Sequence, residues 1–154
     1  MSSSVPAALD YLAREIRALG PVKAAKVPVS DGWPNKRGDR LIALGVVPED
    51  EDSSVLVSYA ELSREEYESV EVPCIVVARC GGANAAADAR RQAYELFDAI
   101  AELVRRDRRL GDAVKPGLPA RIVRAAMSQT SDVRQAGEGR VCEIRFALTW
   151  QHRG

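Results

Sequence analysis

Between residues 140 and 151 the chain alternates with a period of two. Cys142, Ile144, Phe146, Leu148 and Trp150 fall on one side, and Glu143, Arg145, Thr149 and Gln151 on the other. Successive side chains of a strand point to opposite faces, so this segment is a half-buried antiparallel strand. An apolar sheet face must be covered by another layer, and the chain supplies two amphipathic helices for that purpose. The first runs from Pro6 to Leu19, where Leu9, Leu12, Ala13, Ile16 and Leu19 recur at three- and four-residue spacing. Ser4 stands where an N-cap is expected, Pro6 lies in the first turn, and Gly20-Pro21 stops the helix. The second runs from Asn84 to Arg109, with Ala86, Ala89, Ala93, Leu96, Phe97, Ile100, Leu103 and Val104 on its stripe. Asn84 is placed to cap it, Asp88 lies near its positive end, and Arg105, Arg106, Arg108 and Arg109 crowd its negative end.

Five further strands are expected: Val22–Val29, Arg40–Val47, Val55–Tyr59, Val72–Cys80 and Ala120–Thr130. In Val72–Cys80, Val72, Cys74, Val76 and Ala78 face one way and Ile75 and Val77 the other. Two apolar faces mark a central strand covered on both sides, by helices or by a neighbouring subunit. Turns are expected at Asp31-Gly32-Trp33-Pro34-Asn35, at the acidic loop 48–53, at Gly81-Gly82-Ala83-Asn84 and at 135–139. The order α-β-β-β-β-α-β-β predicts an α+β fold, a mostly antiparallel or mixed sheet with two main helices on one face, as one domain over residues 1–154.

Several classes of function find no support. The 154 residues carry 22 basic and 22 acidic side chains, and zero net charge argues against a general polyanion binder. No apolar run approaches the ~20 residues of a membrane span, and residues 1–6 lack the basic and apolar regions of a signal peptide. Three cysteines suit reduced thiols and synthesis in a cytoplasm. Cys74 and Cys80 are about 20 Å apart along one strand at ~3.3 Å per residue, and Cys142 and His152 about 33 Å, so neither pair can share a metal. His152, the one histidine, is expected in a mobile C-terminus, where it makes a poor catalytic base. Gly81–Asn84 lies where phosphates often bind, but lacks the G-x-G-x-x-G spacing and a following Lys-Ser/Thr. The expectation is no enzyme, no metal and no cofactor. Trp33 either anchors an interface or folds back over its own core.

The neutral total conceals a split. Residues 49–71 hold nine acids against one base, a net of −8, whereas residues 104–124 hold seven bases against two acids, a net of +5. Either the two segments neutralise each other within the chain, or the acidic surface of one subunit meets the basic surface of the next, a heterologous contact that closes into a ring when the rotation allows. The candidate interface residues are therefore Glu49, Asp50, Glu51 and Asp52 with Arg105, Arg106, Arg108 and Arg109, together with Trp33. The acidic group has a second candidate role: lining a channel that repels DNA.

One sequence pattern remains. The turn Asp31-Gly32-Trp33-Pro34 precedes a strand entering Gly81-Gly82. Ala-Asp-Ala-Arg follows at 87–90, then Ala93 to Ile100, an exit through Leu110-Gly111-Asp112-Ala113-Val114, and a last strand through Ala147-Leu148-Thr149-Trp150. Over nearly the whole chain this resembles the tail terminator (tail completion, minor tail protein U-like) proteins of long-tailed bacteriophages and related prophages. The frame is loose, and Asp112 stands where many relatives have a second glycine. The resemblance implies a non-enzymatic virion protein made in the bacterial host cytoplasm. It implies a homo-hexameric ring that caps the tail tube protein, ends its polymerisation and presents a surface to the head-tail connector and neck proteins. DNA would pass through that ring without sequence-specific binding, and no membrane is involved. The alternatives are another neck protein, such as a head-closure or connector adaptor, and a small cytoplasmic ligand-binding domain or enzyme with its pocket beside Gly81–Asn84.

Overall fold

The computed structural model describes residues 2–34, 38–46, 55–62, 64–115, 117–132 and 139–153. Their order is α1 (Val5–Ala18), α2 (Gly20–Ala24), β1 (Val29–Asp31), β2 (Arg40–Leu44), β3 (Leu56–Leu62), β4 (Glu65–Cys80), α3 (Ala85–Arg106), β5 (Arg121–Asp132) and β6 (Gly139–Arg153). The fold is α+β with a mixed six-stranded sheet. The strands run β1-β2-β4-β6-β5, and β3 pairs with β4. Among the described residues only the β1–β2 pair is parallel.

β4 organises the sheet. One edge pairs with β6 from Tyr67↔Arg153 to Cys80↔Arg140. Its other edge is shared: β3 pairs with the first half, Leu56↔Glu71 to Leu62↔Glu65, and β2 with the second, Leu44↔Cys74 to Arg40↔Ala78. Expected from Val72, this strand starts at Glu65 instead, because the acidic residues before Val72 keep the two-residue alternation and β3 supplies their ladder partners.

The helices lie on one face. Leu12 and Ile16 of α1 and Leu96, Ile100 and Leu103 of α3 pack against Val72, Cys74, Val76 and Ala78 of β4 and Cys142, Ile144, Phe146, Leu148 and Trp150 of β6. Phe97 meets Phe146 edge-on, with ring centroids 5.2 Å apart. Each large aliphatic side chain buried here contributes roughly 1.5–3 kcal/mol, so the period-two pattern of β6 and the stripe of α3 are two sides of one core. The opposite face of the sheet carries a smaller cluster, Leu41, Ala43, Val46, Ile75, Val77 and Val141, with Trp33 half-buried against it. The second apolar face of β4 is thus covered by its own chain, and no helix lies there among the described residues.

Three local expectations are corrected. Val22 does not begin a strand. Leu19 leaves α1 extended at ψ 138°, Pro21 restarts a helix at Gly20–Ala24, and only Val29–Asp31 is strand. Neither Ser4 nor Asn84 caps its helix with its side chain; the Ser4 hydroxyl is committed elsewhere. The long helix ends at Arg106, so Arg108 and Arg109 belong to the turn that follows. There Leu110, Gly111 and Asp112 all take positive φ, 49°, 64° and 67°. Asp112 thus holds the left-handed conformation that glycine adopts without steric cost. The turn is pinned by Asp107, whose Oδ2 accepts from the Gly111 amide at 3.1 Å and from the Tyr11 hydroxyl at 2.7 Å.

Candidate assembly surface

Three strands end the sheet among the described residues, the three-residue β1 and the longer β3 and β5, and the two long ones differ. β3 pairs only with β4, and residues 56–61 are exposed on both of its faces. Leu56 is 60% and Tyr59 67% exposed, so the β3–β4 hairpin presents apolar side chains to water. β5 pairs only with β6, and nine of its twelve residues are exposed, including Val123 and Met127. Long exposed edges with apolar side chains are templates for another chain. Between them, on the face away from the helices, a groove of about 510 Å³ runs from Leu56 and Ser58 to Leu118 and Arg121. Its floor includes Glu71 and Thr149, and the Arg124–Glu71 ion pair joins β5 to β4 there.

The charge split maps onto these edges. Glu49, Asp50, Glu51 and Asp52 lie outside the described residues. The remaining acids of that segment are placed on the hairpin: Glu61 stands directly opposite Glu66, and Glu65 opposite Leu62. Glu65 accepts from Arg153 and Tyr67, and Glu71 from Arg124.

The four arginines do not act as a cluster. Arg105, Arg108 and Arg121 line a cleft of about 220 Å³ together with Ala101 and Val104. Arg105 also touches Glu102 at 3.2 Å. Arg109 turns away and donates to the Lys115 carbonyl at 3.1 Å. Arg106 lies on the α1 side, near enough to Tyr11 to oppose the rise of its phenol. Trp33 lines a separate small cleft with Arg79, Glu143 and Arg145. Arg121 counts among the bases of residues 104–124 but is not singled out by local pattern; it opens β5 opposite Thr149 and lines the same cleft as the end of α3.

A buried polar network fastens the N-terminus to the root of the hairpin. Glu68 is completely buried. Its Oε1 accepts from the Ser4 amide at 2.9 Å and from the Ser4 hydroxyl, and that hydroxyl in turn accepts from Trp150 Nε1 at 2.8 Å. Across the β4–β6 ladder Glu68 faces His152, whose Nδ1 accepts the Lys115 amide at 3.0 Å. His152 is therefore held in the sheet rather than in a mobile tail. Burial alone would raise the Glu68 carboxyl, but hydrogen bonds from Ser4 and Ser3 and the nearness of His152 outweigh it and hold the carboxyl below its ordinary value. The clue in the sequence is parity: Glu68 shares the inward register of Val70, Val72 and Cys74, visible once the strand is extended back to Glu65.

The thiols are placed as small hydrophobes. Burial pushes Cys74 up to about 12 and raises Cys80 and Cys142. Among the described residues no three His, Cys, Asp or Glu side chains converge as metal ligands. Gly81–Asn84 is exposed; Gly82 turns the chain at φ 92° and its carbonyl accepts from the Ala85 amide at 3.2 Å. No described helix is long and apolar enough to cross a membrane.

No protein-family model and no curated protein matches the chain. Among solved structures, a chain from the virion of a native gene transfer agent (GTA) particle is similar over 91% of this chain and 91% of that one, at 13% identity and a TM-score of 0.48.

Proposed function

We propose that this chain is a non-enzymatic virion structural protein of the tail terminator type. It assembles as a ring, a hexamer by resemblance to that family, on the end of the tail tube, stops the tube growing and offers a surface to the neck proteins. DNA passes through the ring. The observation that carries the reading is the pair of unlike open edges, β3 and β5, on opposite sides of one sheet. Two different surfaces that attract one another make a head-to-tail contact, and such a contact closes into a ring when the rotation between copies allows. The element order and the frame from Ala87-Asp88-Ala89-Arg90 to Leu110-Gly111 support the same reading through the family resemblance.

The test uses purified protein added to tail tube subunits as they polymerise. The reading expects shorter tubes, each carrying this protein at one end. Tubes of unchanged length with no bound protein would overturn it. Normal tubes that instead fail to join heads would move the protein to a head-side neck position.

A further inference from the structure

We propose that the cleft between the end of α3 and the start of β5 is an anion site for a backbone phosphate of double-helical DNA, held by Arg105, Arg108 and Arg121. The inference stands on the cleft alone and does not require the ring.

The fold assembles this cleft from segments that are not neighbours in sequence. The Arg108 carbonyl accepts the Ala120 amide at 2.8 Å. That bond lays the turn after α3 beside the entry to β5, so Arg108 and Arg121 line one cleft with Arg105 from the last turn of the helix.

Its charges are unbalanced. Arg105 bonds Glu102 at 3.2 Å. Among the described residues, neither Arg108 nor Arg121 has an ion pair or a side-chain hydrogen bond. Asp107, next to Arg108 in sequence, is committed to the Tyr11 hydroxyl and the Gly111 amide. The helix C-terminus contributes only about half a negative charge. Three guanidiniums are thus set against one carboxylate, and an incoming oxyanion would complete them with charge-assisted, bidentate hydrogen bonds.

The surroundings select among oxyanions. Small-molecule sites bury most of their ligand, whereas Arg105, Arg108 and Arg121 are all exposed. The site therefore suits a group carried on a larger body. Single-stranded nucleic acid is held by stacking on aromatic rings, and no aromatic side chain lines this cleft. Beyond it, the exposed polar side chains of β5 are Arg124, Ser128, Thr130 and Ser131, and its one acid, Asp132, is buried against Arg79. Arginines and hydroxyls are the groups that contact the phosphates of a duplex, without reading its sequence. The contact uses side chains and leaves the open ladder groups of β5 to a neighbouring chain. The neutral total does not oppose it. The described acids of residues 56–71 stand on β3 and β4, and Glu71, level with Arg121, is neutralised by Arg124.

The test titrates a fluorescein-labelled duplex of random sequence with the full chain and reads anisotropy, starting at ~50 mM salt. Wild type is expected to bind with a Kd of about 10⁻⁴–10⁻⁶ M, and log Kobs should fall against log salt with a slope of about −2 to −3 for three neutralised phosphates. Arg108→Gln with Arg121→Gln should bind about tenfold more weakly, with a slope shallower by about 2. Arg14→Gln with Arg91→Gln removes the same charge from exposed sites elsewhere and should stay within about twofold of wild type. All four positions are exposed, circular dichroism and melting temperature check the folding of each pair, and the wild-type salt slope needs no variant. Equal loss in both pairs, or none in the cleft pair, overturns the inference. So does a wild type that leaves the duplex unbound. Polyglutamate or inorganic phosphate that displaces the duplex at equal concentration of charge also overturns it, and assigns the cleft to an acidic chain or to the free ion. A ring that caps tail tubes but binds no duplex overturns this inference alone; a chain that binds the duplex through the cleft and never caps tubes overturns the assembly reading alone.

Discussion

Replacing Ser4 by alanine removes one oxygen from the most buried polar site of the molecule. That oxygen donates to the Glu68 carboxylate and accepts from the Trp150 indole, while Glu68 is 0% and Trp150 3% exposed. A hydrogen bond to a charged group contributes roughly 1.5–3 kcal/mol, and an orphaned buried donor costs about 1–3 kcal/mol. The Ser4 amide still reaches Glu68 at 2.9 Å in the variant, and the two losses share one atom, so the expected cost is about 3 kcal/mol. At 154 residues that lowers Tm by about 6–12 °C. Urea denaturation and thermal melting, each at one fixed protein concentration, measure it. A double-mutant cycle with Trp150→Phe should give a coupling of at least about 0.5 kcal/mol. The network also has a pH signature. Glu68 is held below its unperturbed value of 4.5, so its contribution is complete above that pH and is lost as pH falls through the lower folded-state value. Wild type should therefore lose more stability on acidification than Glu68→Gln. A Ser4→Ala cost under about 0.5 kcal/mol, or parallel acid profiles for wild type and Glu68→Gln, would refute the argument that this site fastens the N-terminus to the sheet.

Three further outcomes follow from the packing. A Cβ on Gly111 would lie 2.6 Å from the Tyr11 ring; Gly111→Ala should cost about 1–3 kcal/mol by overpacking, read from chemical denaturation. Ile144→Ala opens a void between α3 and the sheet, where Ile144 is 1% exposed, and should cost about 2–5 kcal/mol in the same assay. Timed alkylation of the native protein with mass-spectrometric mapping should modify Cys80 first and Cys74 last, because Cys80 is half-buried while Cys74 is fully enclosed with its thiol pushed up to about 12; early labelling of Cys74 would contradict its place in the core.

The fold was legible where one period ran without interruption. The alternation through Trp150 and the stripe through Ile100 identified β6, α3 and the face on which they meet. Boundaries were less legible, because they depend on partners remote in sequence. Glu65–Glu71 reads as an acidic run, and only the ladder with β3 makes it strand. Gly20-Pro21 reads as a stop, yet proline is as well suited to the first turn of a new helix. The charge split was visible as a segmental asymmetry, but not its geometry. Two of the four arginines reach the cleft, and Arg121 joins them from an element fifteen residues further on. Ser4 and Glu68, 64 residues apart, meet through tertiary packing that no local pattern announces.

The measurement closest to the central claim is tail length. Electron microscopy of particles assembled in a host lacking this protein should show tails that run past their normal length and carry no heads. Tails of normal length, joined to filled heads, would contradict the account.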